Sequence, residues 1–285
     1  MKSFASAVVL AASLGLSATP ALAECATDTE IEAFVAAFTS KTPAQALSAG
    51  GTMEDALCSQ DKLIAALIPH LGPVVGYKAG LTSAPAQERF GTAEPVRGVL
   101  YRDMLLPDGA SVPTKFGAIA LLEGDLLLVI GDAAVNDATT PEAAIAHIAS
   151  VRPFIELPDL ALAQSEPING ETITAMGVGA RLGVMGADIP ITDPAAMLAA
   201  LGSMTVTVRA ADGSVMAEAP GAAVMGNPVN SVLWLMSKGI TLKPGDLISV
   251  GSFGPLLSPA KTGGMATVTY DGLPGNPTVS VTFTE

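Results

Sequence analysis

The sequence predicts an α+β protein in which a β-rich domain, residues 74–285, follows a small N-terminal helical part, residues 24–73. From residue 74 onward, short β-prone runs recur between turns that contain Gly, Pro or Asp. Few helical segments interrupt these runs, so strands and helices do not alternate as they do in a doubly wound α/β fold. No repeat, low-complexity tract or long linker divides the β-rich part, which we therefore interpret as one domain.

The first 23 residues have the pattern of a secretory signal peptide. Lys2 gives a basic start, residues 8–16 form a short apolar run, and Ala-Leu-Ala at 21–23 forms a small-residue cleavage site. The apolar run is shorter than the roughly 20 residues that span a bilayer, and an uncleaved anchor is the alternative. We expect cleavage between Ala23 and Glu24 and a periplasmic or secreted mature protein with no membrane association.

Apolar residues at helical spacing predict a short amphipathic helix over residues 28–39. A second helix is expected to begin at Thr52, whose hydroxyl can form a variant capping box with Asp55. It is expected to run to about Ile68 and to stop at Pro69.

The chain contains two cysteines, Cys25 and Cys58. In an exported protein such a pair most simply forms a disulfide, here between the mature N-terminus and the second predicted helix. Two separate structural thiols are the alternative. Because there is no Cys-x-x-Cys motif and the only histidines are His70 and His147, a zinc site of the Cys/His type is nearly excluded.

The β-rich part is predicted to contain eight strands and two principal helices. The strands cover residues 74–77, 97–101, 121–130, 181–184, 204–208, 247–250, 266–270 and 278–283. The helices cover residues 141–150 and 228–238.

The chain is strongly acidic. It has 27 acidic and 14 basic residues, and loss of Lys2 with the leader leaves a net charge of −14. Such a balance argues against binding to nucleic acid or to an anionic membrane surface.

Residues 121–130, LLEGDLLLVI, carry two carboxylates in a run that otherwise predicts a buried strand. Side chains two apart in a strand share a face, so Glu123 and Asp125 project together, and Gly124 permits a close backbone approach on the other face. Buried like charges require a cation, a shared proton or hydrogen-bond donors. Three interpretations are open: hydrated acids at a strand end, an acid pair that shares a proton, and a divalent metal site with a further oxygen ligand.

Glu156 lies in a second apolar, strand-like segment, RPFIELPDL, and is the candidate for that further ligand. Three carboxylates without His or Cys suit Mg²⁺ or Mn²⁺, and suit Ca²⁺ less well. The alternative is an ion pair between Glu156 and its neighbour Arg152.

Lys78 lies in the strand-like segment VVGYKAGLTS, with Gly76 and Gly80 on the same face. These small neighbours leave room for a ligand to approach the ammonium group. A lysine so placed can hold a substrate carboxylate or, when desolvated, donate a proton. The alternative is a surface lysine with its ammonium group in water.

Six segments, taken in order, resemble the fumarylacetoacetate hydrolase superfamily, and within it the branch of 2-keto-4-pentenoate hydratases and oxalocrotonate decarboxylases. The segments are VVGYKAGLTS (74–83), AQERFGTAEPVRGVLYRDM (86–104), LLEGDLLLVI (121–130), RPFIELPDL (152–160), MGNPVNSVLWL (225–235) and KPGDLISVGSFGP (243–255). The resemblance covers roughly residues 50–285 and implies a β-rich mixed-sheet roll of the fumarylacetoacetate hydrolase C-terminal type.

The resemblance implies that Glu123, Asp125 and Glu156 hold Mg²⁺ or Mn²⁺, which binds the carboxylate and 2-oxo oxygens of a small 2-keto acid or dienoate and stabilises its enolate. It also implies that Lys78 orients or protonates the substrate, with Asp103 as a secondary acidic candidate. Hydratases of this branch add water to the conjugated alkene, and decarboxylases form the same enolate by loss of CO₂. Homo-oligomers are a further implication.

Three features depart from the family pattern. The His–Glu dyad of the carbon–carbon hydrolases cannot be placed on either histidine. A polar Asp-Asn-Ala-Ser-like run of the hydratases is replaced here by Met-Gly-Val-Gly, Met176 to Gly179, and a Thr-Gly pair is replaced by Val250-Gly251.

The leading hypothesis is an exported, metal-dependent lyase of the 2-keto acid hydratase type. The alternative is a non-catalytic protein of the same fold that binds a small acid or a metal, and a hydrolase with relocated catalytic groups is the weakest hypothesis.

Overall fold

A computed structural model describes residues 25–285 of the protein. The predicted signal peptide and its cleavage site, up to Glu24, lie outside the described residues. No helix in the range 25–285 is long and apolar enough to cross a membrane.

Between residue 25 and the first strand, the structure has two helices, α1 (Asp28–Ser40) and α2 (Met53–Leu71). The predicted capping box of α2 is confirmed, because the Thr52 hydroxyl accepts from the Asp55 N–H and the Asp55 carboxylate accepts from the Thr52 N–H. The expected stop at Pro69 is wrong. A proline in the last turn removes only one helical hydrogen bond, and α2 continues to Leu71, where the N–H of the cap residue Gly72 bonds to the Ile68 carbonyl.

Cys25 and Cys58 are paired in a disulfide, with their Cα atoms 5.5 Å apart. The bond anchors the start of the described chain to α2, and the Ala26 N–H donates to Ser59 Oγ beside it at 2.8 Å. The structure therefore favours the disulfide over two separate thiols.

Thirteen strands form two mixed sheets within the described residues. The first sheet has the order β2-β1-β11-β5-β6-β7-β3, with β8 also paired to β6, and the second has the order β10-β9-β12-β13-β4. The strands are β1 (Val74–Gly80), β2 (Val96–Tyr101), β3 (Leu105–Pro107), β4 (Ser111–Pro113), β5 (Glu123–Ile130), β6 (Ile148–Leu157), β7 (Leu182–Met185), β8 (Ile189–Pro190), β9 (Thr205–Ala210), β10 (Val215–Pro220), β11 (Leu247–Ser249), β12 (Met265–Asp271) and β13 (Thr278–Thr284).

Five further helices connect the strands, and the predicted α+β class with mixed sheets is confirmed. The helices are α3 (Ala84–Phe90), α4 (Pro141–Ile145), α5 (Gly170–Ala175), α6 (Pro194–Ser203) and α7 (Asn230–Ser237). Each predicted strand overlaps a strand of the structure, and the helix predicted over 228–238 corresponds to α7. The sequence did not predict the helices α3, α5 and α6 or the strands β3, β4, β8 and β10.

The helix predicted over residues 141–150 is wrong beyond Ile145. The chain turns after α4 and enters β6 at Ile148, where it pairs antiparallel with both β5 and β7. The two strand ladders on either side of β6 satisfy its backbone groups, and this tertiary pairing overrides the local helical pattern.

The first sheet has a hydrophobic core on each face. Leu126 and Leu128 of β5 face the second sheet and pack in one core with Val208. Leu127, which shares the opposite face with Asp125, packs in the other core with Phe34 of α1 and Leu63 of α2. The N-terminal helices therefore cover part of the face that carries the acidic residues. The division into residues 24–73 and 74–285 as separate units stays a prediction.

Candidate metal centre and cavity

Glu123 and Glu156 are directly opposite partners in the antiparallel ladder of β5 and β6. Such partners share a face of the sheet with Cβ atoms about 4.5–5.5 Å apart. Asp125, two residues along β5, points to the same face. The structure thus brings the three predicted carboxylates to adjoining positions on two strands.

Gly124 allows the second sheet to lie close behind this cluster. A Cβ atom at Gly124 would lie 3.3 Å from side-chain atoms of Val208 and Val268 and 3.4 Å from Val206. The close approach predicted at this glycine is made by valine side chains of the second sheet rather than by backbone, and this apolar packing excludes water from the rear of the site.

Asp125 is fully buried, and three donors hold its carboxylate. Oδ1 accepts from the backbone N–H groups of Gly251 at 3.0 Å and Leu126 at 2.5 Å, and Oδ2 accepts from the Ser249 hydroxyl. Burial, and then the negative charge of Glu156, raise the pKa of Asp125 to about 7, although the hydrogen bonds from Ser249 and Leu126 oppose the shift. Asp125 is therefore poised between its neutral and ionised forms near neutral pH.

The Tyr270 hydroxyl reaches from the second sheet to the β5–β6 ladder behind Asp125. It donates to the Asp125 carbonyl and accepts from the Phe154 N–H at 3.0 Å. Neither Tyr270 nor Ser249 was predicted from the sequence. A hydroxyl in an otherwise apolar strand is a signal for Ser249, whereas no local pattern indicates the role of Tyr270.

Lys78 is buried, with 2% of its surface exposed, so it is not a surface lysine. Its ammonium group forms an ion pair with Glu156 and donates to the Val178 carbonyl at 2.9 Å. The interpretation of Arg152 as the partner of Glu156 is wrong, because Arg152 instead lies 3.4 Å from Asp188. Lys78 approaches the cluster from β1, which is separated from β5 by β11.

The room expected around Lys78 is largely filled by protein. A Cβ atom at Gly76 would lie 2.0 Å from the Leu247 carbonyl oxygen, and one at Gly80 would lie 2.4 Å from Val178. Val178 has a left-handed conformation, φ 56°, which is rare for a β-branched residue and turns its carbonyl toward Lys78. Gly76 therefore faces protein and leaves no space for a ligand, whereas Gly80 borders the cavity described below.

Glu123 lies at the edge of the cluster, where it lines the cavity and keeps part of its surface exposed. Burial and the charge of Glu156 raise the pKa of Glu123 well above its usual value, and Lys78 partly offsets this shift. Repulsion among the three acids is thus only partly neutralised by one lysine.

The carboxylates form an oxygen-only donor set that fits a hard divalent cation. Among residues 25–285, however, no three Asp, Glu, His or Cys side chains converge in ligating geometry. Lys78 pairs with Glu156, and Ser249 and the Gly251 N–H bind Asp125, so two of the three carboxylates already have hydrogen-bond partners within the protein. Binding of a cation would require these side chains to turn toward it.

A cavity of about 550 Å³ opens onto the cluster. Lys78 and Glu156 lie at its floor, where both are almost fully buried, and Glu123 lies beside them. The walls are mainly apolar and include Leu81, Phe90, Leu160, Ile173, Val178 and Leu256. This volume is within the range of sites that bind small organic ligands.

The structure does not bring Asp103 to this cavity. Asp103 follows β2 in a short 3₁₀ turn, where its exposed carboxylate pairs with Arg102 at 2.7 Å. That hydrogen bond and charge lower the pKa of Asp103. Two segments depart from the family pattern, Met176 to Gly179 and Val250-Gly251. Val178 of the first segment lines the cavity, and Val250 of the second is buried in the core between the sheets.

The protein is an α+β protein with two mixed sheets, and the acidic cluster lies on two neighbouring strands in the middle of the first sheet. The family model described as "Fumarylacetoacetate (FAA) hydrolase C-terminal" matches residues 84–274. The chain belongs to this family.

Curated relatives include two hydratases. The chain is 30% identical over 226 residues to a 2-keto-4-pentenoate hydratase of Burkholderia vietnamiensis, covering 74% of this chain and 79% of the relative. It is 29% identical over 218 residues to a 2-hydroxyhexa-2,4-dienoate hydratase of Comamonas testosteroni, with the same two coverages.

Solved structures share the fold. A 4-oxalocrotonate decarboxylase from Pseudomonas putida G7, complexed with magnesium and adipate, matches with a TM-score of 0.75 and 21% identity over 92% of this chain and 100% of that chain. A fumarylpyruvate hydrolase from Pseudomonas aeruginosa, in complex with Mn²⁺ and pyruvate, matches with a TM-score of 0.52 and 15% identity over 73% of this chain and 88% of that chain.

Proposed function

We propose that the protein is a metal-dependent lyase that adds water to a small 2-hydroxy-dienoate or 2-keto acid. The observation that carries this proposal is the opposition of Glu123 and Glu156 across the β5–β6 ladder, with Lys78 at the floor of the same cavity. The 30% identity to a 2-keto-4-pentenoate hydratase supports the reaction class.

We propose that Glu123, Asp125 and Glu156 hold a divalent ion, Mg²⁺ or Mn²⁺. The donor set contains only oxygen, and proteins of the same fold have been solved with Mg²⁺ and Mn²⁺. When bound, such an ion supplies Lewis acidity toward the carboxylate and 2-oxo oxygens of a keto acid.

Lys78 would orient the substrate. Its ammonium group has three N–H donors, of which Glu156 and the Val178 carbonyl take two. The third is available on the cavity side, where it can bind a substrate oxygen or deliver a proton to carbon. The apolar walls would surround the unsaturated carbon chain and limit the entry of water to the position that reacts.

The direct test is loss of the absorbance of 2-hydroxypenta-2,4-dienoate in the presence of Mg²⁺ or Mn²⁺. We expect turnover by the wild-type chain, its loss on metal removal, and its loss in Glu156→Gln. Glu88→Gln, an exposed residue on α3, is the matched control and should retain turnover. Absence of turnover on a panel of such enols, with metal shown to be bound, would overturn the proposal.

A non-catalytic binding protein is the second candidate. Val178 places an isopropyl group on the cavity wall where the hydratase branch has a polar run, and this favours binding without turnover. Calorimetry with oxalate or pyruvate distinguishes the candidates when it is combined with the assay. Tight binding without turnover selects the second candidate.

We also propose that the mature protein is exported. The support is the leader pattern of residues 1–23 together with the Cys25–Cys58 disulfide, since disulfides persist mainly in oxidising compartments. Cell fractionation and N-terminal sequencing test this proposal. A periplasmic or secreted chain that begins at Glu24 is expected, and a cytoplasmic chain that begins at Met1 contradicts it.

Homo-oligomerisation stays a proposal, and light scattering can measure the oligomeric state.

A further inference from the structure

Gln60 is a buried amide that joins two backbone carbonyls from different elements of the fold. It lies on α2 with 1% of its surface exposed. Its Nε2 donates to the Arg97 carbonyl on β2 at 2.8 Å and to the Thr174 carbonyl in α5 at 2.7 Å. Because only the amide nitrogen can donate to two carbonyls, these partners fix the orientation of the amide. Gln60 therefore ties α2 to both β2 and α5.

Both carbonyls lie close to the stem of Lys78. In the ladder of β1 and β2, Lys78 is opposite Gly98, the residue that follows Arg97. A Cβ atom at Gly98 would lie 2.9 Å from Lys78 Cγ and 3.1 Å from the Gly177 carbonyl oxygen. The lysine stem and the turn that follows α5 therefore lie side by side against Gly98. A shift of β2 or of this turn would change the path of the lysine side chain.

The turn that follows α5 has an unusual backbone. Residues 177–179 are successively left-handed, with φ values of 75°, 56° and 67°. The middle residue is Val178, and a β-branched side chain adopts this conformation only where its surroundings hold it there. The Thr174 carbonyl accepts from the N–H of the first of these residues at 2.9 Å as well as from Gln60. The conformation directs the Val178 carbonyl to the Lys78 ammonium group, 2.9 Å away.

We propose that Gln60 is a positioning residue for Lys78. By holding β2 and the turn 177–179 together, it sets the direction in which the ammonium group presents its third N–H to the cavity. The described residues that line the cavity include Val178 but not Gln60, so Gln60 acts through Lys78 and not on the substrate. This inference rests on the role of Lys78 in the proposed function.

The test compares Gln60→Met with the wild-type chain in the presence of Mn²⁺. Methionine has a similar length but no N–H donor. Calorimetry with oxalate measures binding without requiring turnover. We expect Gln60→Met to weaken oxalate binding by roughly 5- to 10-fold, near the upper end of the range for one hydrogen bond. In a Lys78→Met background the same substitution should change the oxalate affinity less than about twofold, because both substitutions then act on one interaction.

Ser59→Ala is the matched control on α2. Ser59 is also buried, and its hydroxyl binds the Ala26 N–H and the Ser48 hydroxyl, away from Lys78. This variant should unfold at a lower temperature than wild type and bind oxalate with unchanged affinity. Gln60→Asn is a milder second variant, whose amide is too short to join both carbonyls and should weaken oxalate binding in the same direction. Unchanged affinity in both Gln60 variants, or an equal effect of Gln60→Met with and without Lys78, overturns the inference.

A crystal structure of Gln60→Met gives a readout that does not depend on turnover. We expect the Lys78 ammonium group to have left the Val178 carbonyl, and an unchanged position of Lys78 overturns the inference. In the turnover assay, kcat should fall by roughly 10- to 100-fold and KM should rise no more than the oxalate affinity falls, because a displaced ammonium group misorients a substrate that is still bound. The proposed function is tested separately by turnover of the wild-type chain, so the two can fail independently.

Discussion

Glu123 and Glu156 lie directly opposite each other on the antiparallel strands β5 and β6, with their side chains on one face of the sheet. Two carboxylates so placed repel each other, and one lysine cannot neutralise both together with Asp125. A divalent cation would satisfy all three. The cluster therefore has a cost in the metal-free protein that metal binding would offset.

Replacement of Glu123 separates the contribution of this residue to metal affinity from its contribution to charge repulsion in the metal-free protein. Glu123→Gln replaces a proposed carboxylate ligand by a neutral amide. Because loss of a group outside the ligand shell already costs about 10- to 100-fold in metal affinity, we expect the affinity for Mn²⁺ to fall by about 100-fold or more. The same substitution removes charge repulsion, so the metal-free variant should melt at a higher temperature than wild type at pH 8. Titration calorimetry and thermal unfolding measure the two effects. Unchanged Mn²⁺ affinity would refute the assignment of Glu123 as a ligand.

Lys78→Met tests the buried ion pair with Glu156. Removing one partner of a buried pair leaves the other charge uncompensated, so the metal-free variant should lose about 3–5 kcal/mol of unfolding free energy. Mn²⁺ should restore part of the lost unfolding free energy because it neutralises Glu156. Turnover should be absent with or without Mn²⁺, because Lys78 is proposed to orient the substrate. Urea unfolding with and without metal measures the difference.

Lys62→Met is the matched control for that measurement. Lys62 pairs with Asp28 at 3.0 Å, but the two side chains are 41% and 89% exposed. Loss of such a surface pair should cost less than about 1 kcal/mol, with no response to Mn²⁺. Equal losses in the two lysine variants would show that the Lys78–Glu156 pair has no special energetic role.

Stability without metal should fall as pH rises from 5 to 7. The pKa of Asp125 is raised to about 7, so over this range the folded state holds a proton that the unfolded state has released. The pKa of Glu123 is also raised, so its ionisation likewise lowers the stability of the folded state as pH rises. Carboxyl groups with lowered pKa values, such as Asp132 and Asp212, lose their contribution only in more acidic solution.

Melting temperatures in EDTA at pH 5 and pH 7.5 measure this dependence. We expect the higher value at pH 5, and a smaller difference in Asp125→Asn. With saturating Mn²⁺ the trend should reverse, because ligating carboxylates must be ionised. A metal-free melting temperature that rises between pH 5 and pH 7.5 would contradict the buried acidic cluster.

The disulfide should stabilise the N-terminal part. Cys25 and Cys58 are 33 residues apart in the chain, and closing a loop of that length is worth about 3–4 kcal/mol. We expect a loss of this order in Cys58→Ser, measured by urea unfolding, and a similar loss on reduction of the wild-type chain. If reduction changes the stability of Cys58→Ser as much as that of wild type, the disulfide does not explain the effect.

The alternation of side chains in strands made much of the acidic cluster predictable. Glu123 and Asp125 had to share a face once residues 121–130 formed a strand, and Gly124 had to face the neighbouring sheet. Their pairing with Glu156 depended on the register of β6, which no local pattern specifies. The beginning of β6 was mistaken for helix for the same reason, since its ladders with β5 and β7 are long-range contacts.

The partners of the acids could not be read from local sequence. Lys78 reaches Glu156 across 78 residues of chain and past β11, and Tyr270 reaches Asp125 across 145 residues from the other sheet. The glycines around Lys78 and the resemblance to the family both pointed to this lysine, which the structure places at the floor of the cavity, and its role toward a substrate stays a prediction. The same resemblance suggested Asp103, whose carboxylate instead pairs with Arg102 at the surface.

We propose that Glu123, Asp125 and Glu156 together bind one divalent ion. The most direct measurement is anomalous diffraction from crystals of the mature chain grown with Mn²⁺ and oxalate. We expect a single strong manganese peak bounded by these three carboxylates, with oxalate on the cavity side near Lys78. A peak elsewhere, or no peak while Lys78 remains paired with Glu156, would contradict it.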